Sequence, residues 1–349
     1  MRIAIITDAW APQVNGVVRT LGAITDELRR RGHDVAVIAP DQFRSFACPT
    51  YPEIRLALAT RRAVGARLDD FRPDAVHIAT EGPLGWAARA HCLARGRDFT
   101  TAYHTQFPDY LARRTGLPAA LFWPVIRHFH RPSAGVMVAT ETVARQLRRQ
   151  GVARLRPWSR GVDLAAFGPD RAPPDLFCNL PRPIQLYVGR VAVEKNIEAF
   201  LASSHPGSRV VVGDGPALVA MRRAFPDAHF LGRQTGAALA SCYAGADVMV
   251  FPSRTDTFGL VMLESLACGT PVAAFPVAGP LDVLTDACGA MDESLDRAIA
   301  CALTRDRADC VAHGRRFGWQ ASTDQFLAAL EPGGEAVQGP SVQGLLEPV

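Results

Sequence analysis

The sequence predicts an α/β protein of two successive halves, each a parallel sheet covered by helices on both faces. Three observations carry this. Short apolar runs of strand length alternate with stretches of helical periodicity. The alternation breaks off in a proline-rich stretch from Pro169 to Pro183 and then begins again. The chain has 349 residues, 48% of them apolar, which is about twice the usual single-domain length. Strands that alternate with helices pair in parallel. So apolar a composition excludes a disordered or fibrous chain.

In the first half, Ile3–Ile6 reads as the opening strand, Val17–Arg31 as a helix closed by Gly32, and Val35–Ala39 as the next strand. Ala75–Ile78, Phe99–Tyr103 and Val136–Thr140 supply further strands. In the second half, Ile184–Val188 is followed by a helix near Glu194–Ala202. Strands then fit Val210–Val212, Phe230–Leu231, Asp247–Phe251 and Val272–Phe275. The linker is placed at about 165–183, which gives domains at 1–168 and 183–316. Two such halves leave a cleft, and ligands on such sheets sit at the carboxyl ends of strands. Residues 331–349 are rich in Gly, Pro and Gln and read as a flexible tail.

No uncharged apolar stretch reaches the roughly 18–20 residues that span a bilayer. Asp8 meets the first apolar run too early for a signal peptide, so a cytoplasmic protein is expected. Cysteines at 48, 92, 178, 242, 268, 288, 301 and 310 show no C-x-x-C and no zinc spacing, and all read as reduced packing residues. Charge is divided. Residues 1–165 carry 24 arginines against 14 acids, a net +10, whereas residues 166–349 carry a net −6. A basic half beside an acidic one suggests that one domain faces an anionic partner. Arginine supplies 37 of the 38 basic residues, and Lys195 is the only lysine. Such a residue marks a place where a compact ammonium is needed, or it is chance.

Four segments could carry chemistry. In the first turn, Asp8 to Val18, Gly16 lets the backbone approach a ligand, and the helix start offers N–H groups to a phosphate. Gly16 could equally be an ordinary turn residue. The G-x-G-x-x-G spacing of a dinucleotide fold is absent, which disfavours an NAD or FAD enzyme. Directly after a strand, Gly189-Arg190-Val191-Ala192-Val193-Glu194-Lys195-Asn196 sets two cations five residues apart, able to clamp a diphosphate or to form a solvated surface pair. Gly213-Asp214-Gly215-Pro216 fits a tight turn along the same edge.

The most informative segment runs from Phe251 to Pro271. Between Thr257 and Leu281 there are 25 residues, and Glu264 is the only charged one. A carboxylate in so apolar a helix is costly unless it is paired or reached by a ligand; the competing reading is a narrow exposed stripe. Asp256, eight residues earlier, is a second carboxylate or a helix N-cap. Eight helical residues rise roughly 12 Å, enough for the two to hold opposite ends of a sugar–ribose ligand. The amides of Phe258, Gly259 and Leu260 would then point at phosphate. His104 follows a strand of the first half and either faces the cleft or is a structural loop histidine.

Taken together, these segments resemble the retaining glycosyltransferases of family 4, which have the GT-B fold. The resemblance runs from Pro12-x-x-Asn15-Gly16-Val17 to Phe317-Gly318-Trp319 and is most specific in Gly189-Arg190…Glu194-Lys195-Asn196 and in Phe251–Pro271. It implies two Rossmann-like domains with parallel sheets facing across a cleft: an N-terminal acceptor domain and a C-terminal nucleotide-sugar domain. A last helix, about 317–330, would cross back onto the N-terminal domain. Arg190 and Lys195 would neutralise the donor diphosphate with the Gly16 amide, and Glu264 would hold the ribose hydroxyls. Asp256 would contact the donor sugar, backbone at Phe258, Gly259 and Leu260 would hold sugar and phosphate, and His104 would stand by the transferred sugar. The catalytic set is thus His104, Arg190, Lys195 and Asp256. One position departs from the pattern: the first carboxylate of the family's E-x7-E is Asp256 here, one methylene shorter. Neither a metal nor a cofactor is implied, since cations and helix dipoles stabilise the leaving group.

The implied reaction moves a hexose, mannose favoured, from a GDP- or UDP-sugar to an acceptor hydroxyl of a lipid or cell-envelope glycan. The alternatives are a UDP-glucose- or UDP-glucuronate-dependent diacylglycerol glycosyltransferase and a GT-B sugar-nucleotide epimerase. The acceptor is expected on the basic half. There Ala119–Arg131 reads as a helix with Leu121, Phe122, Val125, Ile126 and Phe129 on one side and Arg127 and Arg131 opposite, interrupted by Pro124. It could dock on an anionic membrane at the inner face of the cell membrane or pack on its own domain. No aromatic–basic motif supports nucleic-acid binding.

Overall fold

The computed structural model describes residues 1–330, apart from residues 14, 49, 50, 105, 106, 109–111, 113, 114 and 257 and the side chains of residues 48 and 51–54. The tail expected at 331–349 lies outside the described residues. The chain divides into two compact units: Met1–Ser159 with the chain from Trp319 onward, and Arg160–Gly318. The stretch read as a linker, 165–183, therefore belongs to the second unit. Apolar side chains anchor it there: Phe167 lies edge-on to Tyr243 at 6.0 Å, Phe177 is buried, and Pro173 packs where Gly245 has no side chain.

The first unit holds β1 (Arg2–Ile6), β2 (Asp34–Ile38), β5 (Ala75–Ile78), β6 (Thr100–Tyr103), β7 (Gly135–Val138) and β8 (Leu155–Pro157). They form one parallel sheet in the order β2-β1-β5-β6-β7-β8. Side chains alternate across a strand, so β1 feeds two cores. Ile3 and Ile5 join Leu21, Ile24 and Leu28 of the Gly16–Arg30 helix, while Ala4 and Ile6 join Ile38, Val64 and Leu84 on the other face. The Gly16–Arg30 helix stops at Gly32, whose φ of +82° only glycine adopts readily, with the His33 amide donating to the Leu28 carbonyl at 3.1 Å. An antiparallel hairpin of β3 (Ser45–Cys48) and β4 (Tyr51–Ala57) stands apart from this sheet. The sequence reading placed no strand at the hairpin or at β8, which is three residues long with an arginine and a proline.

The second unit repeats the plan with β9 (Ile184–Val188), β10 (Ser208–Val212), β11 (His229–Gly232), β12 (Val248–Phe251), β13 (Val272–Ala274) and β14 (Gly289–Met291), all parallel in the order β11-β10-β9-β12-β13-β14. The helix expected near Glu194–Ala202 is divided. A 3-10 turn, Val193–Lys195, is separated from the Ile197–Leu201 helix by Asn196 in the left-handed region at φ +53°.

The Ala119–Arg131 segment also differs from expectation. A 3-10 turn, Ala119–Leu121, precedes a helix over Trp123–His130, and Pro124 sits in that helix's first turn, where its missing N–H costs nothing. Trp123, Ile126 and Phe129 are buried, whereas Leu121 is 59% and Val125 52% exposed. The two rows that a single wheel merged thus face opposite ways. Among the described cysteines, Cys92, Cys242, Cys268, Cys288 and Cys310 are buried, and burial pushes the Cys92 thiol up to about 11. Cys178 and Cys301 are exposed, so they are not packing residues. No described helix is long and apolar enough to cross a membrane.

The last described helix, Trp319–Leu330, belongs to the first unit. Phe326, Ala329 and Leu330 enter the core of Ile3, Ile5 and Trp158. Arg31 pairs with Asp324 at 2.5 Å, and the Ser322 hydroxyl donates to the Ser159 carbonyl at 2.7 Å. Phe326 is fully buried against Trp158 and His77, each ring centroid 5.0 Å away. Phe326→Ala should therefore destabilise the protein by about 3–5 kcal/mol, read as a lowered urea midpoint; a midpoint equal to wild type would remove this helix from the core.

Candidate active site

In the second unit the expected residues gather at the carboxyl ends of β9 and β12. Two loops meet first. The Gly189 amide donates to the Val212 carbonyl at 3.0 Å and the Val191 amide to the Asp214 carbonyl at 2.9 Å, so the loops after β9 and β10 run together. A Cβ on Gly213 would lie 1.8 Å from the Gly189 carbonyl oxygen, which only glycine avoids. The Gly213-Asp214-Gly215 turn lines the same edge, as its sequence suggested. Arg190 sits half-buried on this loop, and its carbonyl accepts from the Tyr187 hydroxyl at 2.7 Å. Burial, with the charges of Asp256 and Glu194, pushes the Tyr187 phenol up, so this hydroxyl keeps its proton.

The next contacts tie that loop to the one after β12. The Asn196 side-chain amide donates to the Pro252 carbonyl at 3.0 Å, and the Thr255 hydroxyl to the Glu194 carbonyl at 3.3 Å. Lys195 and Asp256 then meet: the ammonium donates to Asp256 Oδ1, with the two side chains 28% and 23% exposed. The only lysine is thus neither a solvated surface charge nor chance decoration. It pairs with the shortened carboxylate, 61 residues on.

Asp256 does not cap the following helix. Gly259 does so at φ +85° with no side-chain cap, and the helix runs Leu260–Ala267. Half of the separation between Asp256 and Glu264 is therefore loop, and the 12 Å helical rise does not apply. A Cβ on Gly259 would come 2.9 Å from Phe251 and Met262, and one on Gly279 would come 3.0 Å from the Phe258 carbonyl. These glycines hold the backbone of Phe258, Gly259 and Leu260 close beneath the loop; Thr257 is outside the described residues. Glu264 is 3% exposed, which excludes the solvated stripe. Its Oε2 accepts from the Tyr243 hydroxyl at 2.9 Å, and Tyr243 is itself fully buried.

The first unit carries the other two expected residues. Gly16 opens its helix, but the Asn15 side chain caps it, Oδ1 accepting from the Val17 and Val18 amides at 3.0 Å each. Those two N–H groups are therefore engaged within the chain, and the cap does not involve the Gly16 amide. His104 lies at the carboxyl end of β6, buried, its ring edge-on to Trp158 at 5.5 Å. Residues 105, 106 and 109–111 beyond it are outside the described residues. A cavity of about 260 Å³ opens at the carboxyl ends of β1 and β2, lined by Trp10, Gln13, Asp41, Ser45 and Arg55 among others.

Two site-shaping residues escaped the sequence reading. Tyr243 has no motif around it. Asp8 was seen only as an early acid, yet it is buried and accepts from the Leu84 amide at 2.9 Å and the Thr80 hydroxyl at 2.8 Å. Burial raises its carboxyl above the usual carboxylate range despite these donors. The Asp8 carbonyl in turn accepts from Gln13, which steadies the loop that leads to Gly16. Among the described residues, no three His, Cys, Asp or Glu side chains converge so as to hold a metal ion.

Two units, each with a parallel six-stranded sheet, are the plan of the GT-B fold. Sucrose-phosphate synthase from Thermosynechococcus elongatus has the same fold, with a TM-score of 0.75 over 93% of this chain and 97% of that one at 22% identity. Family models match residues 14–166 as Glycosyltransferase Family 4 and residues 182–305 as Glycosyl transferases group 1. A GDP-mannose-dependent alpha-mannosyltransferase of Mycolicibacterium smegmatis is 31% identical over 91% of both chains. That of Mycobacterium tuberculosis is 33% identical over 82% of both. The chain belongs to glycosyltransferase family 4, within the group 1 glycosyl transferases.

The floor of this site has a pH signature. His313, on the Arg307–Gly314 helix, is within hydrogen-bond distance of the Val283 carbonyl at 2.8 Å, which holds the Pro280–Val283 turn that carries Gly279. Burial lowers its pKa from the ordinary 6.5. The unfolded chain then binds a proton that the folded one refuses, so stability is full above about pH 6.5 and falls as pH drops toward the depressed folded value. Between pH 7.5 and 5.5 the wild-type urea midpoint should fall more than that of His313→Gln; parallel curves would show that His313 plays no part.

Proposed function

We propose that this glycosyltransferase moves a mannosyl residue from GDP-mannose to an acceptor hydroxyl, with retention at the anomeric carbon and without a metal ion. The observation that carries the reading is the Lys195–Asp256 pair on the loops after β9 and β12, with Arg190 on the first of these loops and the buried Glu264 on the helix that follows the second. Likeness to GDP-mannose-dependent enzymes over nine-tenths of the chain supports the choice of donor.

In this reading Glu264 accepts from the ribose hydroxyls, and Arg190 and Lys195 face the diphosphate. As the bond between the anomeric carbon and the phosphate oxygen breaks, negative charge grows on the diphosphate, and the two cations stabilise it. Asp256 keeps Lys195 placed and takes a hydroxyl of the sugar. The acceptor oxygen forms its bond on the face the phosphate leaves, and its proton passes to the departing phosphate oxygen. Beyond the donor and the acceptor, no cofactor enters the reaction.

A thermal-shift screen against GDP-mannose, UDP-glucose, UDP-glucuronate and UDP-N-acetylglucosamine tests the donor. GDP-mannose should stabilise the protein, and Glu264→Gln should abolish the shift. Lys195→Ala and Glu264→Gln should each lower transfer at least tenfold, about 1.4 kcal/mol of transition-state stabilisation. Stabilisation by a UDP-sugar alone would move the reading to a glucosyl- or glucuronosyltransferase; near-normal transfer in both variants would overturn the site.

The acceptor is assigned to the first unit, on the half of the sequence with net charge +10. Leu117, Leu121 and Val125 are exposed there, with Arg127 exposed beside them. Apolar and cationic side chains together suit the anionic inner face of a cell membrane, where a lipid acceptor would lie. The protein should co-sediment with phosphatidylglycerol vesicles at low salt, and Leu121→Asp with Val125→Asp should weaken this. No sedimentation by the wild type would sink the membrane assignment.

A further inference from the structure

Glu264 stands at the centre of a packed arrangement that begins well away from it. The Gly236–Gly245 helix carries Tyr243 in its last turn. Three contacts fix that residue: its carbonyl accepts from the Thr270 hydroxyl at 2.5 Å, its ring lies edge-on to Phe167 at 6.0 Å, and its hydroxyl donates to Glu264 Oε2 at 2.9 Å. Arg307 pins the end of the same helix, donating to the Ala244 and Ala246 carbonyls at 2.7 and 2.8 Å and to the Thr270 hydroxyl at 3.2 Å. The phenol therefore sits on a rigid support, with almost no freedom to follow a moving partner.

A glutamate side chain has three rotatable bonds, the terminal one with broad preferences. Burial alone leaves its carboxylate plane poorly defined. A donor from a fixed phenol helps to set that plane, and a carboxylate can accept about four hydrogen bonds. Two vicinal hydroxyls of a ribose need a carboxylate held in one orientation, because paired hydrogen bonds lose strength steeply as their angles deteriorate.

We propose that Tyr243 is a positioning residue for the donor: its hydroxyl orients the Glu264 carboxylate toward the ribose diol, and so sets how strongly the enzyme distinguishes ribose from deoxyribose. This rests on the reading of the second unit as the nucleotide-sugar site.

The test compares GDP with 2′-deoxy-GDP, or UDP with its 2′-deoxy form if the donor screen selects uridine, by calorimetric titration. Wild type should favour the ribonucleotide. Tyr243→Phe keeps the ring and its contact with Phe167 but takes a donor from a buried carboxylate, so the variant should stay folded with an unfolding midpoint lowered by several degrees. The preference for ribose should shrink about tenfold in this variant, the scale of a hydrogen bond to a charged group. In steady-state transfer, donor KM should rise with kcat within about threefold. A ribose preference unchanged in Tyr243→Phe overturns the proposal, as does a variant that fails to fold, which would assign Tyr243 to stability. If the wild type binds no nucleotide at all, the failure lies in the donor-site reading, and the proposal falls with it.

Discussion

Much of the second unit is arranged around one expensive act, the burial of the Glu264 carboxylate in a helix whose other residues are almost all apolar. Leaving such a charge unmet would cost several kcal/mol. The Tyr243 hydroxyl offsets part of that cost, and the need to bring it there shapes the surroundings. The Gly236–Gly245 helix must pack close against the Leu260–Ala267 helix, and Phe167, Thr270 and Arg307 hold it in that place. The chain before β9 contributes too, since Pro173 and Phe177 fill the space that Gly245 leaves. What looked like a connecting stretch is thus one wall of the site's support.

Glycine supplies the second constraint. The loops after β9 and β10 approach until only a hydrogen fits at Gly213, while Gly259 packs against Phe251 and Met262 and Gly279 against the Phe258 carbonyl in looser contacts. These approaches bring charged side chains from separate loops to one edge without long, mobile reaches. Lys195 can then meet Asp256 although that carboxylate is one methylene shorter than the family's usual glutamate. Side chains held by short loops lose little further freedom when a ligand arrives, which is the condition for electrostatic stabilisation of a leaving group.

The two units divide the labour by charge. The second unit holds its two site cations, Arg190 and Lys195, on one loop after β9, within a unit whose basic and acidic residues nearly balance. In the first unit positive charge is spread through arginines, and the helix starts are occupied internally: Asn15 caps one helix, and the Asp8 carboxylate takes the Leu84 amide of another.

The parallel sheets were legible because strands buried on both faces are written as unbroken apolar runs, as in Ile3–Ile6 and Ile184–Val188. Lys195 and Glu264 stood out by contrast, a lone lysine and a lone charge among 25 residues. Local chemistry of that kind is a property of neighbours in sequence, and sequence displays it. Tyr243, Asp8 and the placing of Phe167 were not legible, because their roles are contacts between residues far apart in the chain that carry no local signature. The same holds where local sequence left alternatives open. Whether Asn15 or a ligand takes the first amides of a helix, whether Asp256 caps a helix or pairs with Lys195, and which row of the Trp123–His130 helix faces inward are competitions between near-equal local options. Sequence by itself determined the fold class and the charged groups that a site could use. Only tertiary packing, by setting which donor lies nearest to which acceptor, decided how those groups are paired.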